Sequence, residues 1–202
     1  MDVTRTIELI FDFVSPNAYL VWRPLHELAA RQGAQIRITP AFLGGMHKLT
    51  GNAPPFIRDA EVKGKNAYAA LEMQRFIARH GLTAFRMNPK FPFNSVNLLR
   101  MLVSLQDDDQ IRFIDTMTPA IWEKGLDVSD VAAVTAVLTE AGFDAESLHA
   151  GTQDAAIKQA LINNTERAVE RGVFGIPTFF VGTEMFFGKE RLGQIEEMLQ
   201  DS

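Results

Sequence analysis

Apolar positions along the 202-residue chain switch between a period of two and a helical period, and the switches mark the elements. Ile7 to Val14 is a nearly unbroken apolar run, rich in β-branched and aromatic residues, which reads as a buried strand. It stops at Ser15-Pro16. Ser15 is a good N-cap, and Pro16 suits the first helical position, where a missing N–H costs nothing. Tyr19, Trp22, Leu25, Leu28 and Ala29 then recur at helical spacing, and Arg31-Gln32-Gly33 gives a cationic last turn and a glycine stop. His26 falls on the opposite side of this helix from much of that stripe, which predicts a solvated side chain. Gln35 to Leu43 alternates at first and reads as a second strand, parallel to the first across a helical crossover.

Beyond this unit the pattern turns helical for a hundred residues. Gly44-Gly45 through Pro54-Pro55 is rich in glycine and proline and is expected to be loop. Helices are expected over 67–80, 95–105, 111–124, 129–141 and 144–170, with Ser129 and Asp144 as caps and Gly125 and Gly142 as stops. Asn88-Pro89-Lys90-Phe91-Pro92-Phe93 is excluded from any helix by its prolines and the residues before them. The strand period returns at the end. Gly175 to Gly182 and Glu184 to Gly188 predict an antiparallel hairpin, and Glu190 to Gln200 a closing helix. Residues 1–44 and 151–202 thus form one discontinuous α/β unit, and 45–150 an all-helical insertion.

Composition narrows the functions open to such a chain. At 47% apolar residues a core is available, and the net charge of −5 argues against general nucleic-acid binding. No apolar run reaches the about 18 residues that span a bilayer. Met1 to Thr6 leads straight into the first strand with no signal-peptide pattern, so a cytoplasmic location without a membrane is expected. The chain has no cysteine. Dithiol–disulfide exchange needs a thiolate on the protein, so that chemistry is closed to it. No metal site is expected.

A strand running into a capped helix places free N–H groups and the positive end of the helix dipole beside Ser15, where an anion is stabilised. The layout resembles thioredoxin-fold proteins, which carry Cys-x-x-Cys where this chain has Ser15-Pro16-Asn17-Ala18. On spacing alone, Ser15 is equally readable as a plain cap. Further motifs stand in order: Phe-Asp-Phe-Val-Ser-Pro-x-x-Tyr, Gly51-Asn52-x-Pro54-Pro55, Lys65-x-x-Tyr68, Asn88-Pro89-x-Phe91-Pro92-x-Asn94-Ser95, and Gly172-Val-Phe-Gly-Ile176-Pro177-Thr-Phe. Together they resemble the 2-hydroxychromene-2-carboxylate isomerases and their relatives, the kappa-class glutathione transferases, over nearly the whole chain.

The resemblance implies a thioredoxin-like α/β fold interrupted by a helical domain, a homodimer, an aromatic small-molecule substrate and glutathione as cofactor. Ser15 would face the glutathione sulfur. Asn52 and Lys65 match polar positions near cofactor or substrate, with Lys65 meeting developing negative charge, and Ile176 would pair with the cysteinyl backbone before a cis Pro177. Each has a plainer reading: Lys65 and Lys63 as solvated lysines, Asn52 as a turn residue, Asn88 and Asn94 as braces of a loop. Tyr19 and Tyr68 are expected in the core or lining a pocket.

One stretch departs from the family pattern. An aromatic, Gly, a short polar residue, Asp and Arg is replaced by Phe187-Gly188-Lys189-Glu190-Arg191. Lys189 would add positive charge where the γ-glutamyl carboxylate lies, and Glu190 would take the α-amino group. The implied reaction is cis–trans isomerisation. The thiol adds to a conjugated double bond, the bond rotates, and elimination returns the thiol. Conjugation by the same thiol, or binding of glutathione without catalysis, are the alternatives.

Overall fold

The computed structural model describes residues 5–200, so Met1 to Thr4 and the reading of the N-terminus fall outside it. Strand β1, Thr6–Phe11, is buried along Ile7 to Phe11 and lies inside a four-stranded sheet. Helix α1, Pro16–Gln32, returns the chain to β2, Gln35–Pro40, which pairs parallel to β1. β3, Thr178–Val181, pairs antiparallel to the other edge of β1, and β4, Glu184–Phe187, antiparallel to β3. The order β2-β1-β3-β4 makes a strand from the start of the chain the neighbour of one 170 residues later. Its continuous apolar run suits this central place.

Glu8 is the exception in that run. Burial alone would raise its pKa, but the Thr39 hydroxyl, Arg171 and Arg37 lower it on balance. Arg171 and Arg37 sit 2.9 and 3.1 Å from the carboxylate. The charge therefore lies in the sheet region with cations from β2 and the segment ahead of β3.

Between β2 and the return to the sheet the chain is helical. Its helices are α2 (Leu43–Thr50), α3 (Pro55–Arg58), α4 (Lys65–His80), α5 (Val96–Ser104), α6 (Asp107–Trp122), α7 (Val131–Glu140) and α8 (Ala145–Gly151). α9, Ala155–Glu170, packs on β2, and α10, Leu192–Gln200, packs on α1. The expected thioredoxin-like sheet with a helical insertion is the fold observed.

Several local expectations fail, at α2 because distant residues decide and at most of the others because a neighbouring side chain makes the better local contact. The glycine-rich stretch after β2 is not all loop: α2 forms there. Its first N–H groups are capped from elsewhere, Phe42 N–H by Thr165 Oγ1 at 3.0 Å and Leu43 N–H by Asp12 Oδ2 at 2.8 Å. The single helix expected over 144–170 is broken, since Asp154 caps a fresh helix by accepting from Ala156 and Ile157 N–H. Asp130, not Ser129, caps α7, while Ser129 is held by Asp127. His26 is half-buried with its ring against Trp22 rather than solvated. Tyr68 is 59% exposed, so only Tyr19 of the two tyrosines joins the core.

The insertion is fastened to α1 and β1 by side chains of α6 and its end. Trp122 Nε1–H donates to Phe13 O at 3.1 Å, Trp22 Nε1–H to Asp115 at 2.6 Å, and Tyr19 hydroxyl to Glu123 at 2.8 Å. The proline-rich segment is braced as read: Asn88 donates to Ile121 and Leu126 carbonyls at 2.8 and 2.9 Å and accepts from Lys90 N–H. Asn94 likewise accepts from Val96 N–H at the start of α5. Replacing Asn88 with Ala leaves two carbonyls without their donor, in part within the core. Stability should fall by about 2 kcal/mol, or roughly 4–8 °C in Tm at this chain length, read by calorimetry.

Candidate active site

Ser15 ends the β1 turn and begins α1, and its position is set from both sides. Ser15 N–H donates to Asp12 O at 3.2 Å, and its hydroxyl oxygen accepts from Ala18 N–H at 3.3 Å. The cap expected from sequence is real. The same hydroxyl also donates to Ile176 O at 3.0 Å, across 161 residues. Ser15 is 4% exposed and Ile176 6%. Ile176–Pro177 is cis, as the resemblance implied.

The segment carrying Ile176 is held from several directions. Gly175 lies so close to the Phe187 ring that a Cβ would stand 2.7 Å from it, so a larger residue there would have to push the ring aside. Phe174 stacks on the same ring at 4.6 Å between centroids. Gly188 N–H donates to Pro177 O at 3.0 Å, tying the start of the last helical segment to the site. Thr178 hydroxyl closes the turn on Gly175 O. Among the described residues nothing accepts from the Ile176 N–H, although the residue is buried. An extended ligand that offers a carbonyl there would satisfy a costly orphan donor.

Asn52 is brought to this segment: its amide donates to Phe174 O at 2.8 Å, two residues before Ile176. Its own oxygen meets Arg58 at 3.5 Å. Arg58 pairs with Asp59 at 2.9 Å, and Lys65 Nζ, at the start of α4, pairs with the other Asp59 oxygen at 2.9 Å. Arg58 and Lys65 together hold the Asp59 carboxyl well below the usual range. Two cations on one anion leave the cluster with a surplus positive charge. Lys65 joins Ser15 only through this chain of contacts.

Lys189 and Glu190 form a 3-10 turn, Lys189–Arg191, ahead of α10. Lys189 is 6% exposed, its ammonium paired with Glu190 and 5.4 Å above the Phe76 ring. Both line a cleft of about 430 Å³ between α1, α4 and α10, with Arg31, Glu72 and Arg75 among its walls. The structure thus joins Ser15, Ile176 and Pro177 directly, and links Asn52 to Phe174. It leaves Lys189 and Glu190 satisfied by each other.

Two features next to Ser15 were only hinted at by the sequence. A buried to half-buried aromatic cluster runs from Tyr19, one helical turn after Ser15, through Phe85 at 5.6 Å and Trp122 at 6.0 Å, with Phe91 and Phe93 against Trp122. Burial, then Glu123, push the Tyr19 phenol up, so it serves as a hydrogen-bond donor. The other is Asp12, fully buried three residues before Ser15, whose carboxyl burial pushes up to about 6 against hydrogen bonds that lower it. A polar residue inside an apolar strand run is the only hint the sequence offers of it.

This geometry, a helix N-terminus facing a cis-proline segment beside a mixed sheet, defines a thioredoxin-type protein. Residues 6–200 match the family described as DSBA-like thioredoxin domain, and the chain belongs to that family. Within it, the chain is a member of the group of 2-hydroxychromene-2-carboxylate isomerases and their kappa-class relatives. It is 30% identical to a 2-hydroxychromene-2-carboxylate isomerase of Sphingobium xenophagum, over 98% of this chain and 100% of that one. A solved 2-hydroxychromene-2-carboxylate isomerase superposes with a TM-score of 0.83 at 26% identity, covering 97% of this chain and 95% of the other. Glutathione S-transferase kappa 1 of Homo sapiens is 25% identical, over 96% and 91% of the two chains.

Replacing Ser15 with Ala removes the acceptor for Ala18 N–H and the donor for Ile176 O. Denaturant unfolding should show a loss of about 1 kcal/mol from the cap alone, with little change in slope.

Proposed function

We propose that the protein is a glutathione-dependent isomerase that converts 2-hydroxychromene-2-carboxylate to trans-o-hydroxybenzylidenepyruvate in aromatic hydrocarbon degradation. The observation that carries this reading is Ser15 at the N-terminus of α1, against Ile176 and cis Pro177, in a chain without cysteine. The fold offers a place for a thiol and the protein has none to put there. Relatives named for this isomerisation match over nearly their whole length. The residues fit a tripeptide thiol: an orphan N–H on Ile176, a hydroxyl beside it, and a cationic cluster linked to Asn52.

Glutathione, when bound, supplies the nucleophilic thiol through which a conjugated double bond becomes free to rotate. The chain does the rest. Ser15 turns its hydroxyl proton from Ile176 O toward the sulfur, and the helix N-terminus favours the thiolate over the thiol. Ile176 presents its N–H to the cysteinyl carbonyl. Lys65 and Arg58 lend the surplus charge of their pair with Asp59 to negative charge developing on the substrate. The aromatic cluster from Tyr19 to Trp122, both buried, ties α1, which Ser15 caps, to the insertion.

Ser15 to Ala should lower turnover more than glutathione affinity, because backbone groups hold the tripeptide. The expected loss is that of one hydrogen bond to a charged group, about 1.5–3 kcal/mol. An unchanged rate with weakened affinity would reduce Ser15 to a cap. Titration calorimetry and steady-state rates at saturating glutathione separate the two.

The second reading is a kappa-class-like transferase, favoured by the four kappa relatives that match over most of their length. Mass balance decides. With substrate in large excess over glutathione, an isomerase converts far more chromene than the thiol supplied and leaves the thiol titre intact. Stoichiometric thiol loss identifies conjugation. Glutathione binding without conversion leaves a binding protein or a different substrate.

A further inference from the structure

Asp12 is fully buried and charged groups do not approach it, yet its carboxyl sits where three elements meet. Oδ1 accepts from Val14 N–H at 3.1 Å, inside the turn that ends at Ser15. Oδ2 accepts from Leu43 N–H at 2.8 Å, the first residue of α2. The Ser95 hydroxyl, fully buried at the start of α5, makes no hydrogen bond among the described residues, yet it favours the charged form of the same carboxyl. α2 has no cap of its own, since Phe42 makes no side-chain capping bond, whereas Asn94 caps the start of α5. The backbone carbonyl of Asp12 meanwhile accepts from Ser15 N–H. One residue thus anchors the Ser15 turn and caps the start of α2.

We propose that Asp12 is a positioning residue for the active-site turn: its ionised carboxylate fixes Ser15 against the start of α2, and its protonation loosens that register. The role rests on the isomerase reading of the Ser15 site and goes beyond it by naming what holds the serine. An ionised carboxylate only accepts, and two backbone N–H groups donate to it here, with the unpaired Ser95 hydroxyl in reach of its field. Protonation puts a hydrogen on one oxygen, so that an N–H must turn away or the new hydrogen must find an acceptor. The Ser95 hydroxyl is the one group of the three able to accept, because a hydroxyl donates or accepts, whereas Val14 and Leu43 N–H groups only donate.

The sign follows from the burial. Burial pushes the carboxyl up to about 6, and the Ser95 hydroxyl and the Leu43 and Val14 hydrogen bonds oppose it. The ionised form, which holds the turn, is filled as pH rises through that value. Among the described residues the groups acting on Asp12 are those three, from the turn, α2 and α5, and none is titratable. Ser95 to Ala removes a hydroxyl that favours the charged form, so it displaces the midpoint upward without touching Ser15 or a thiol.

The test is an amide NMR titration of the full chain without glutathione, from pH 4.5 to 8, beside the pH profile of kcat/KM for the chromene. Val14, Ser15 and Leu43 amides should move together with one midpoint. Ser95 to Ala should raise that midpoint and raise the acid limb of the rate profile by the same amount. Asp12 to Asn should abolish the shared titration and lower turnover roughly 10- to 100-fold, the scale of a small misplacement at a reacting centre, with glutathione affinity nearly unchanged. A Ser15 amide that stays still while Val14 and Leu43 titrate overturns the proposal. So does an acid limb that Ser95 to Ala leaves in place, since such a limb belongs to the thiol. If Asp12 to Asn does not fold, the Ser95 variant decides alone. Wild-type protein that turns over no chromene counts against the isomerase reading, and the amide midpoints then still decide whether Asp12 governs the turn.

Discussion

The hydrogen bond from Ser15 hydroxyl to Ile176 carbonyl joins the start of α1 to the cis-proline segment at the point where the chemistry is proposed. Everything on either side is arranged to bring those atoms to 3.0 Å. β1 delivers Ser15 from the centre of the sheet, and β3, its antiparallel neighbour, delivers Ile176 from the other side of the insertion. Two residues that far apart in sequence meet only if the helices between them close the loop. The entropy of such a closure grows slowly with length, so a long insertion is tolerable once the sheet pairs.

The absence of cysteine fixes what such a site can be. Thioredoxin-type geometry concentrates a helix N-terminus, an open backbone donor and a shielded cleft around a nucleophile position. With serine there, the fold retains the means of stabilising a thiolate and lacks the thiolate. The proposed use of glutathione completes the arrangement, and it makes affinity for the tripeptide part of catalysis. That shifts weight to contacts remote from the sulfur. Asn52, Arg58, Asp59 and Lys65 form one such group, with its surplus charge near the Ile176 segment. Lys189 and Glu190 differ, because each already satisfies the other.

The insertion contributes more than a lid of apolar surface. Trp122 reaches Phe13 O, Glu123 takes the Tyr19 hydroxyl, and Asp12 caps α2 from below. These bonds run between the parts, so the Ser15 turn and the aromatic cluster beside it are built jointly. A change in the insertion's packing therefore reaches the Ser15 turn without touching Ser15.

Local sequence determined what local forces control. The apolar run of β1, the Ser15-Pro16 cap, the hairpin and the glycine stops are short-range devices, and each appears where its residues stand. Zero cysteine determined, without any structure, that the protein carries no redox dithiol. The resemblance carried the cis proline and the helical insertion further than composition did. Tertiary structure decided the rest. The glycines after β2 became a helix because Asp12 and Thr165 cap it across the fold, and 144–170 broke because Asp154 offered a better start. Lys65 and Lys189 read alike as lysines, yet one shares a half-free cluster and the other is buried in a pair. Charge state and direction belong to neighbours brought in by folding, and no spacing along the chain encodes them.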